Sequence, residues 1–75
     1  MLLKTIQFRY NSQTHTMYFY KYKDSYFRNL EKLESQNELE NAFNFKYIKN
    51  NSLAQCIKYF IETIVDKNAE ILPDE

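Results

Sequence analysis

An alternating aromatic run from Met17 to Lys23 constrains the fold more than any other feature of this chain. The run reads Met-Tyr-Phe-Tyr-Lys-Tyr-Lys. Successive side chains of a β-strand point to opposite faces, so its three tyrosines share one face while Met17 and Phe19 share the other. These tyrosines are Tyr18, Tyr20 and Tyr22. The run therefore predicts a β-strand with a tyrosine face.

The chain is rich in aromatic residues for its size. Its 75 residues include 7 tyrosines and 6 phenylalanines, but no glycine. A chain of this length forms one small domain with a marginal core, and large aromatic side chains are one route to stability without disulfides. We therefore predict a single domain over residues 1–75, with self-association as a second route to stability.

The amino-terminal third predicts an antiparallel hairpin. Residues 2–10 alternate, with Ile6 and Phe8 on the even, core-facing side, and residues 15–22 form the second strand after a polar turn at 11–14. Residues 26–33 fit either a helix, through Tyr26, Leu30 and Leu33, or a third strand. We favour the strand, because an isolated hairpin is only marginally stable.

Two capping boxes predict two helices. Ser35 precedes a helix from about residue 36 to the mid-forties, and Ser52 precedes a second helix with a longer apolar stripe. The first is expected to bury Leu39, Ala42 and Phe43, and the second Leu53, Ile57, Phe60, Ile61, Ile64 and Val65. The predicted class is α+β: a two- or three-stranded antiparallel sheet packed on one face by two carboxyl-terminal helices.

The reactive residues give no catalytic signature. Cys56 is the single cysteine, which precludes an internal disulfide and favours a reducing cytoplasm, and it lies in an apolar helical stripe. His15 has no identifiable nucleophile or acid as a partner, and the absence of glycine argues against phosphate-binding loops. Neither a signal peptide nor a membrane span is expected. We predict a cytoplasmic, non-enzymatic protein without metal or cofactor.

Charge is sorted along the chain although it sums to zero. Residues 1–30 hold five bases and one acid, a balance of +4, and the remainder holds five bases and nine acids, a balance of −4. If Met17 and Phe19 face the helices, the three tyrosines of the run stand near basic side chains on an exposed face. The predicted binding residues are Tyr18, Tyr20, Tyr22, Lys21, Lys23 and Arg28. The alternative is that the tyrosines face inward.

Such a face fits two kinds of partner. Tyrosine and arginine anchor protein interfaces, and aromatic rings beside basic side chains also bind single-stranded nucleic acid. Nucleic-acid modules usually have an excess of basic residues, and this chain has none. We therefore prefer a protein partner, with a nucleic-acid-binding module and a homo-oligomeric subunit, such as a homodimer, as the alternatives.

The arrangement of strands followed by two short helices resembles that of small phage-encoded anti-CRISPR proteins. The segments that carry the resemblance are 35–40, reading Ser-Gln-Asn-Glu-Leu-Glu, and 52–57, reading Ser-Leu-Ala-Gln-Cys-Ile. The resemblance is one of layout, and it transfers no site residue. It implies an inhibitor, located in the host cytoplasm, that binds a CRISPR effector complex and blocks target DNA or nuclease recruitment.

Overall fold

A computed structural model describes residues 1–46 and 48–73. It contains an α+β arrangement in which a four-stranded antiparallel sheet has the order β3-β2-β1-β4. The elements in chain order are β1 (Leu2–Tyr10), β2 (Gln13–Tyr22), β3 (Ser25–Asn29), α1 (Gln36–Phe45), α2 (Leu53–Asp66) and β4 (Glu70–Ile71). The α+β class is confirmed, and the sheet has more strands than the two or three predicted.

The predicted hairpin of β1 and β2 is present. Its turn is tighter than the sequence suggested, because Tyr10 already pairs with Gln13 and only Asn11 and Ser12 lie between the strands. Both turn residues have positive φ, at 53° and 64°. Positive φ at both central residues is the geometry of a type I′ turn, which matches the twist of the flanking strands.

Residues 26–33 are a strand in their first part only. β3 ends at Asn29, after pairing with β2 from Tyr22↔Ser25 to Tyr18↔Asn29. On its outer side Tyr26 exchanges two backbone hydrogen bonds with Asn50, at 2.8 and 2.9 Å. The third strand is therefore confirmed, and a bridge from the residues before α2 protects part of its outer edge.

The fourth strand was not predicted. β4 has two residues, and it pairs with β1 through Phe8↔Ile71 and Arg9↔Glu70. The backbone N–H of Leu72 extends the contact by donating to the carbonyl of Gln7 at 2.9 Å. The segment after α2 therefore folds back along the outer edge of β1.

Both helices begin where the capping boxes predict. The hydroxyl of Ser35 accepts from the N–H of Glu38 at 3.2 Å, and that of Ser52 accepts from the N–H of Gln55 at 3.1 Å. Each contact satisfies a backbone donor that has no partner within the helix. The side chains of Glu38 and Gln55 return to the N–H of the residue before the cap, at 3.3 and 3.1 Å. Each helix start therefore has two side-chain contacts.

The two helices cover opposite faces of the sheet, which corrects the prediction that both cover one face. Phe19 packs in a cluster with residues of α2, whereas its neighbour Tyr20 packs with Leu39 of α1. Consecutive strand residues point to opposite faces, so we name the two sides the α2 face and the α1 face. The described residues therefore form one small core on each side of the sheet.

The core of the α2 face is built around Phe60. Its ring makes edge contacts with Phe8 and Phe19, both with centroids 5.5 Å apart. Edge-to-face geometry is favourable for aromatic pairs. The other buried members of this core are Ile6, Met17, Cys56 and Ile64.

The core of the α1 face is built around Tyr20 and Phe27, which are stacked with centroids 5.6 Å apart. Leu39 is buried with them, and Phe43 packs against the cluster from α1. The hydroxyl of Tyr20 accepts a hydrogen bond from the N–H of Leu33 at 2.8 Å. This bond ties the segment before α1 to the sheet.

Two residues assigned to the buried stripe of α2 lie outside it. Ile61 is 36% exposed and Val65 is 65% exposed. They follow Ile57 at intervals of four residues, so the three share one flank of the helix. The stripe that contacts the sheet is narrower than predicted, with Cys56, Phe60 and Ile64 as its buried members.

Candidate functional site

The predicted tyrosine face is not an exposed surface. Tyr20 is only 2% exposed, and Tyr18 and Tyr22 are half-buried against the same cluster. Burial raises the pKa of the Tyr20 hydroxyl, and its hydrogen bond with Leu33 opposes that rise. The physical reason for the burial is α1, which covers the face that was expected to be open. The expectation of exposure was therefore wrong for Tyr20.

Two of the three predicted basic residues, Lys21 and Arg28, do not share a face with the tyrosines. Lys21 pairs with Tyr26 and Arg28 pairs with Phe19, which places both on the α2 face. There the Lys21 ammonium lies 5.6 Å from the Tyr26 ring, and the Arg28 guanidinium lies 5.6 Å from the Phe60 ring. The strand alternation thus separates Lys21 and Arg28 from the tyrosines.

Lys23 remains close to the tyrosine side. It occupies the turn between β2 and β3 with a φ of 55°. Its ammonium lies 5.6 Å from the Tyr22 ring and 5.9 Å from the Phe43 ring. Of the six predicted binding residues, Tyr18, Tyr22 and Lys23 lie together on the α1 side of the sheet and are at least partly exposed to solvent.

A different surface combines exposed apolar side chains with a concave shape. We name it the connection groove: it lies between α2 and the residues that join α1 to α2, and its volume is about 900 Å³. Phe45 and Ile48 line it and are 83% and 77% exposed, and Tyr59 lines it from α2. Large apolar side chains exposed together typically mark an interaction site.

The connection groove has walls of opposite charge. Lys46 and Lys49 line it on the connection side, and Glu62 and Asp66 line it from α2. Arg28 of β3 also contributes to the lining. The ammonium of Lys49 lies 4.4 Å from the ring of Phe43, which fixes one basic side chain on the body of the domain. The groove therefore offers apolar area between a basic and an acidic wall.

Sequence reasoning missed this groove, although one signal was present. The buried stripe of α1 follows a helical spacing through Leu39, Ala42 and Phe43, and Phe45 falls outside that spacing. An apolar residue off the stripe at the end of a helix indicates a contact beyond the local core. The sequence also predicts that Phe45 and Tyr47 line the end of α1; Phe45 does lie there, and Tyr47 lies outside the described residues.

The two chemically reactive side chains are in structural settings. Cys56 is buried, and burial raises the pKa of its thiol, while the nearby charge of Arg28 lowers it to a smaller extent. His15 is half-buried and stacks on Phe8, with centroids 5.3 Å apart. Within residues 1–46 and 48–73, no three His, Cys, Asp or Glu side chains are grouped to hold a metal ion.

The comparisons with known proteins give no relative. No family model, curated protein or solved structure matches this chain. Neither α1 nor α2 has the length and apolar character needed to span a bilayer, and this holds for the described part of the chain.

Proposed function

We propose that this chain is a non-enzymatic binding protein or inhibitor, and that it docks on a partner protein through the connection groove. The observation that carries the proposal is the exposure of Phe45 and Ile48, at 83% and 77%, in the lining of one concave surface. Leaving two such side chains in water forgoes burial worth about 1.5 to 3 kcal/mol for each. A partner that covers them recovers this free energy.

The partner's segment is defined by the groove's chemistry. Tyr59 adds an aromatic ring with a polar hydroxyl to the apolar floor, and tyrosine is a frequent anchor of protein interfaces. Lys46 and Lys49 face carboxylates of the partner, and Glu62 and Asp66 face its basic side chains. The occupant is therefore an amphipathic segment with apolar anchors and opposite charges on its two sides.

The resemblance to small anti-CRISPR proteins suggests one class of partner, a nucleic-acid-binding effector complex. This remains a prediction of the sequence layout. The alternative of direct nucleic-acid binding depended on tyrosines and cations on one sheet face, and the register separates Lys21 and Arg28 from Tyr20. The uncovered part of the α1 face offers Arg9 as its basic group, next to polar residues such as Gln7 and Thr16. Protein binding therefore has the stronger support.

The test selects ligands and then maps where they bind. A displayed library of short peptides is selected against the immobilised chain, and the affinity of the selected peptides is measured for two variants. Phe45→Ser and Ile48→Ser each remove an anchor, and we expect each to weaken binding about tenfold to a hundredfold. Amide chemical shifts on peptide addition should change around residues 45–51 and 59–66.

Val65→Ser is the matched control, because Val65 is 65% exposed on a different flank of α2 and does not line the groove. Its affinity for the peptides should equal that of the natural chain. Selected peptides that bind Phe45→Ser and Ile48→Ser at full affinity would overturn the proposal. A concentration-dependent dimer that is lost in these two variants would instead assign the groove to a second copy of the chain.

A further inference from the structure

A second cavity lies between the α2 face of the sheet and the carboxyl-terminal half of α2. Its volume is about 280 Å³, and apolar side chains from both layers form its interior. Met17 and Phe8 line it from the sheet, and Phe60, Ile64 and Ala69 line it from α2 and the segment that follows. We name it the apolar pocket. Typical pockets for small molecules measure about 300 to 1,000 Å³, so this pocket lies just below the lower end of that range and suits only a small ligand.

The mouth of the apolar pocket is itself apolar. Tyr10 and Leu30 line it and are 36% and 57% exposed. Tyr10 ends β1 and Leu30 follows β3, so the two strands that flank β2 each leave a large side chain in water beside the cavity. A ligand with an apolar body would cover both residues when it enters.

The charged groups around the apolar pocket are all basic. These charged groups are Arg28 and Lys67, His15 adds an imidazole ring to the lining, and no Asp or Glu lines the pocket among the described residues. This contrasts with the connection groove, where Glu62 and Asp66 face the cations. Arg28 is half-buried, and its guanidinium lies 5.6 Å from the centre of the Phe60 ring, at the boundary between the apolar interior and water.

We propose that the apolar pocket binds a small amphipathic carboxylate, such as a medium-chain fatty acid. The alkyl chain lies against the exposed apolar surface of Tyr10, Leu30 and Ala69, over the buried residues at the base of the pocket, and the carboxylate meets Arg28 at the mouth. A guanidinium pairs with a carboxylate through two parallel hydrogen bonds, and this pairing is stronger beside apolar surface than in water. The arrangement selects an anion over a cation or a neutral molecule of equal length.

The experiment titrates the isotope-labelled full chain with octanoate and follows methyl and amide resonances. Octanoate should shift the Met17, Ile64 and Ala69 methyl signals in a saturable manner. Octylamine, which has the same chain with a positive head group, should bind at least about tenfold more weakly. Equal binding of octanoate and octylamine, or no shift of these methyl signals, would overturn the proposal.

Two variants separate the head-group contact from the cavity itself. Arg28→Gln should weaken octanoate binding about tenfold and reduce the preference over octylamine. Ala69→Leu fills the pocket and should abolish binding of both probes, with thermal unfolding showing that the fold is retained. Lys58→Gln removes an exposed lysine of α2 outside the pocket lining, and its octanoate affinity should be unchanged. A loss as large as that of Arg28→Gln would assign the binding to general surface charge.

Discussion

The two faces of the sheet hold small cores of different kinds. The α2 face is covered by a helix of 14 residues. It buries three phenylalanine rings, among which Phe60 contacts both Phe8 and Phe19, together with aliphatic side chains. The α1 face is covered by a helix of 10 residues that supplies one buried residue, Leu39, and its centre is a tyrosine with a satisfied hydroxyl. The α2 face therefore contributes more to the stability of the whole domain. The α1 face mainly stabilises α1 and the segment before it.

Coverage of both faces explains how a chain of 75 residues buries enough side-chain area to fold. The central strand β2 is buried on both sides, by Phe19 under α2 and Tyr20 under α1. A sheet covered on both faces removes more aromatic area from water than a sheet covered on one. The aromatic run that seemed to predict a binding surface is used to hold two layers of helix.

The largest expected effect is in the α2 face. Phe60→Ala removes the ring that contacts both Phe8 and Phe19, and it leaves a cavity between α2 and the sheet. We expect it to lower the free energy of unfolding by about 3 to 5 kcal/mol, measured by chemical denaturation. A loss below that of Phe43→Ala would contradict the ranking of the two faces.

Phe43→Ala tests the α1 face. Its ring is half-buried and contacts Tyr22, with centroids 4.8 Å apart, and Phe27, with centroids 6.3 Å apart. Since part of the ring is already in water, we expect a loss of about 1 to 2 kcal/mol. Hydrogen exchange should increase most in α1 and least in α2. Equal acceleration in both helices would show that the two cores unfold as one unit.

Tyr20→Phe isolates the polar contact of the α1 face. The change removes the hydroxyl that accepts from the Leu33 N–H and keeps the ring stacked on Phe27. We expect a loss of about 1 kcal/mol, with faster exchange of the Leu33 amide. Unchanged protection of that amide would mean that the hydrogen bond adds nothing to the order of residues 30–35.

The two helix caps give a matched pair of smaller effects. Ser52→Ala and Ser35→Ala each remove one hydroxyl acceptor, and caps of this kind contribute about 1 kcal/mol. Because α2 covers the larger core, Ser52→Ala should lower the global free energy of unfolding by nearly that amount. Ser35→Ala should act mainly on local opening of α1, seen as amide exchange. The reverse order would place the global unfolding unit on the α1 face.

The smallest effect is expected from alkaline pH. Burial raises the pKa of the Cys56 thiol and of the Tyr20 hydroxyl above their ordinary values of 9.0 and 10.0. Below those values both groups are protonated in the folded and the unfolded chain, so stability does not change on their account. Above them the unfolded chain ionises first, and stability falls as pH rises.

Thermal unfolding between about pH 8 and pH 10 measures this effect. The midpoint should fall as pH rises, and the fall should be smaller in Cys56→Ala because the buried thiol is absent. An equal fall in this variant would assign the alkaline loss to other groups.

The parts of the fold that depend on local pattern were predictable from sequence. Alternation identified β1 and β2, and the capping boxes identified the starts of α1 and α2 at Ser35 and Ser52. These signals act over a few residues, through strand alternation and backbone donors at helix ends. The two-residue strand β4 has no such signal, because its pairing with β1 is set by the return of the chain after α2.

The placement of α1 could not be predicted from the same patterns. A tyrosine suits a buried site with a hydroxyl partner and an exposed interface equally well. The partner of Tyr20 is the backbone N–H of Leu33, which has no side-chain signature. The prediction of a binding site had the same ambiguity. The alternating pattern shows that Tyr18, Tyr20 and Tyr22 share a face, but whether that face is covered depends on the tertiary position of α1.

The hairpin turn at Asn11 and Ser12 also bears on how this protein can evolve. Ser12 adopts a φ of 64° in a chain without any glycine, although asparagine followed by glycine is the preferred pair for such a turn. A residue with a β-carbon pays roughly 1 kcal/mol or more for a left-handed backbone. A Ser12→Gly substitution in this solvent-facing turn should therefore stabilise the fold, and during evolution it could offset a destabilising substitution acquired elsewhere.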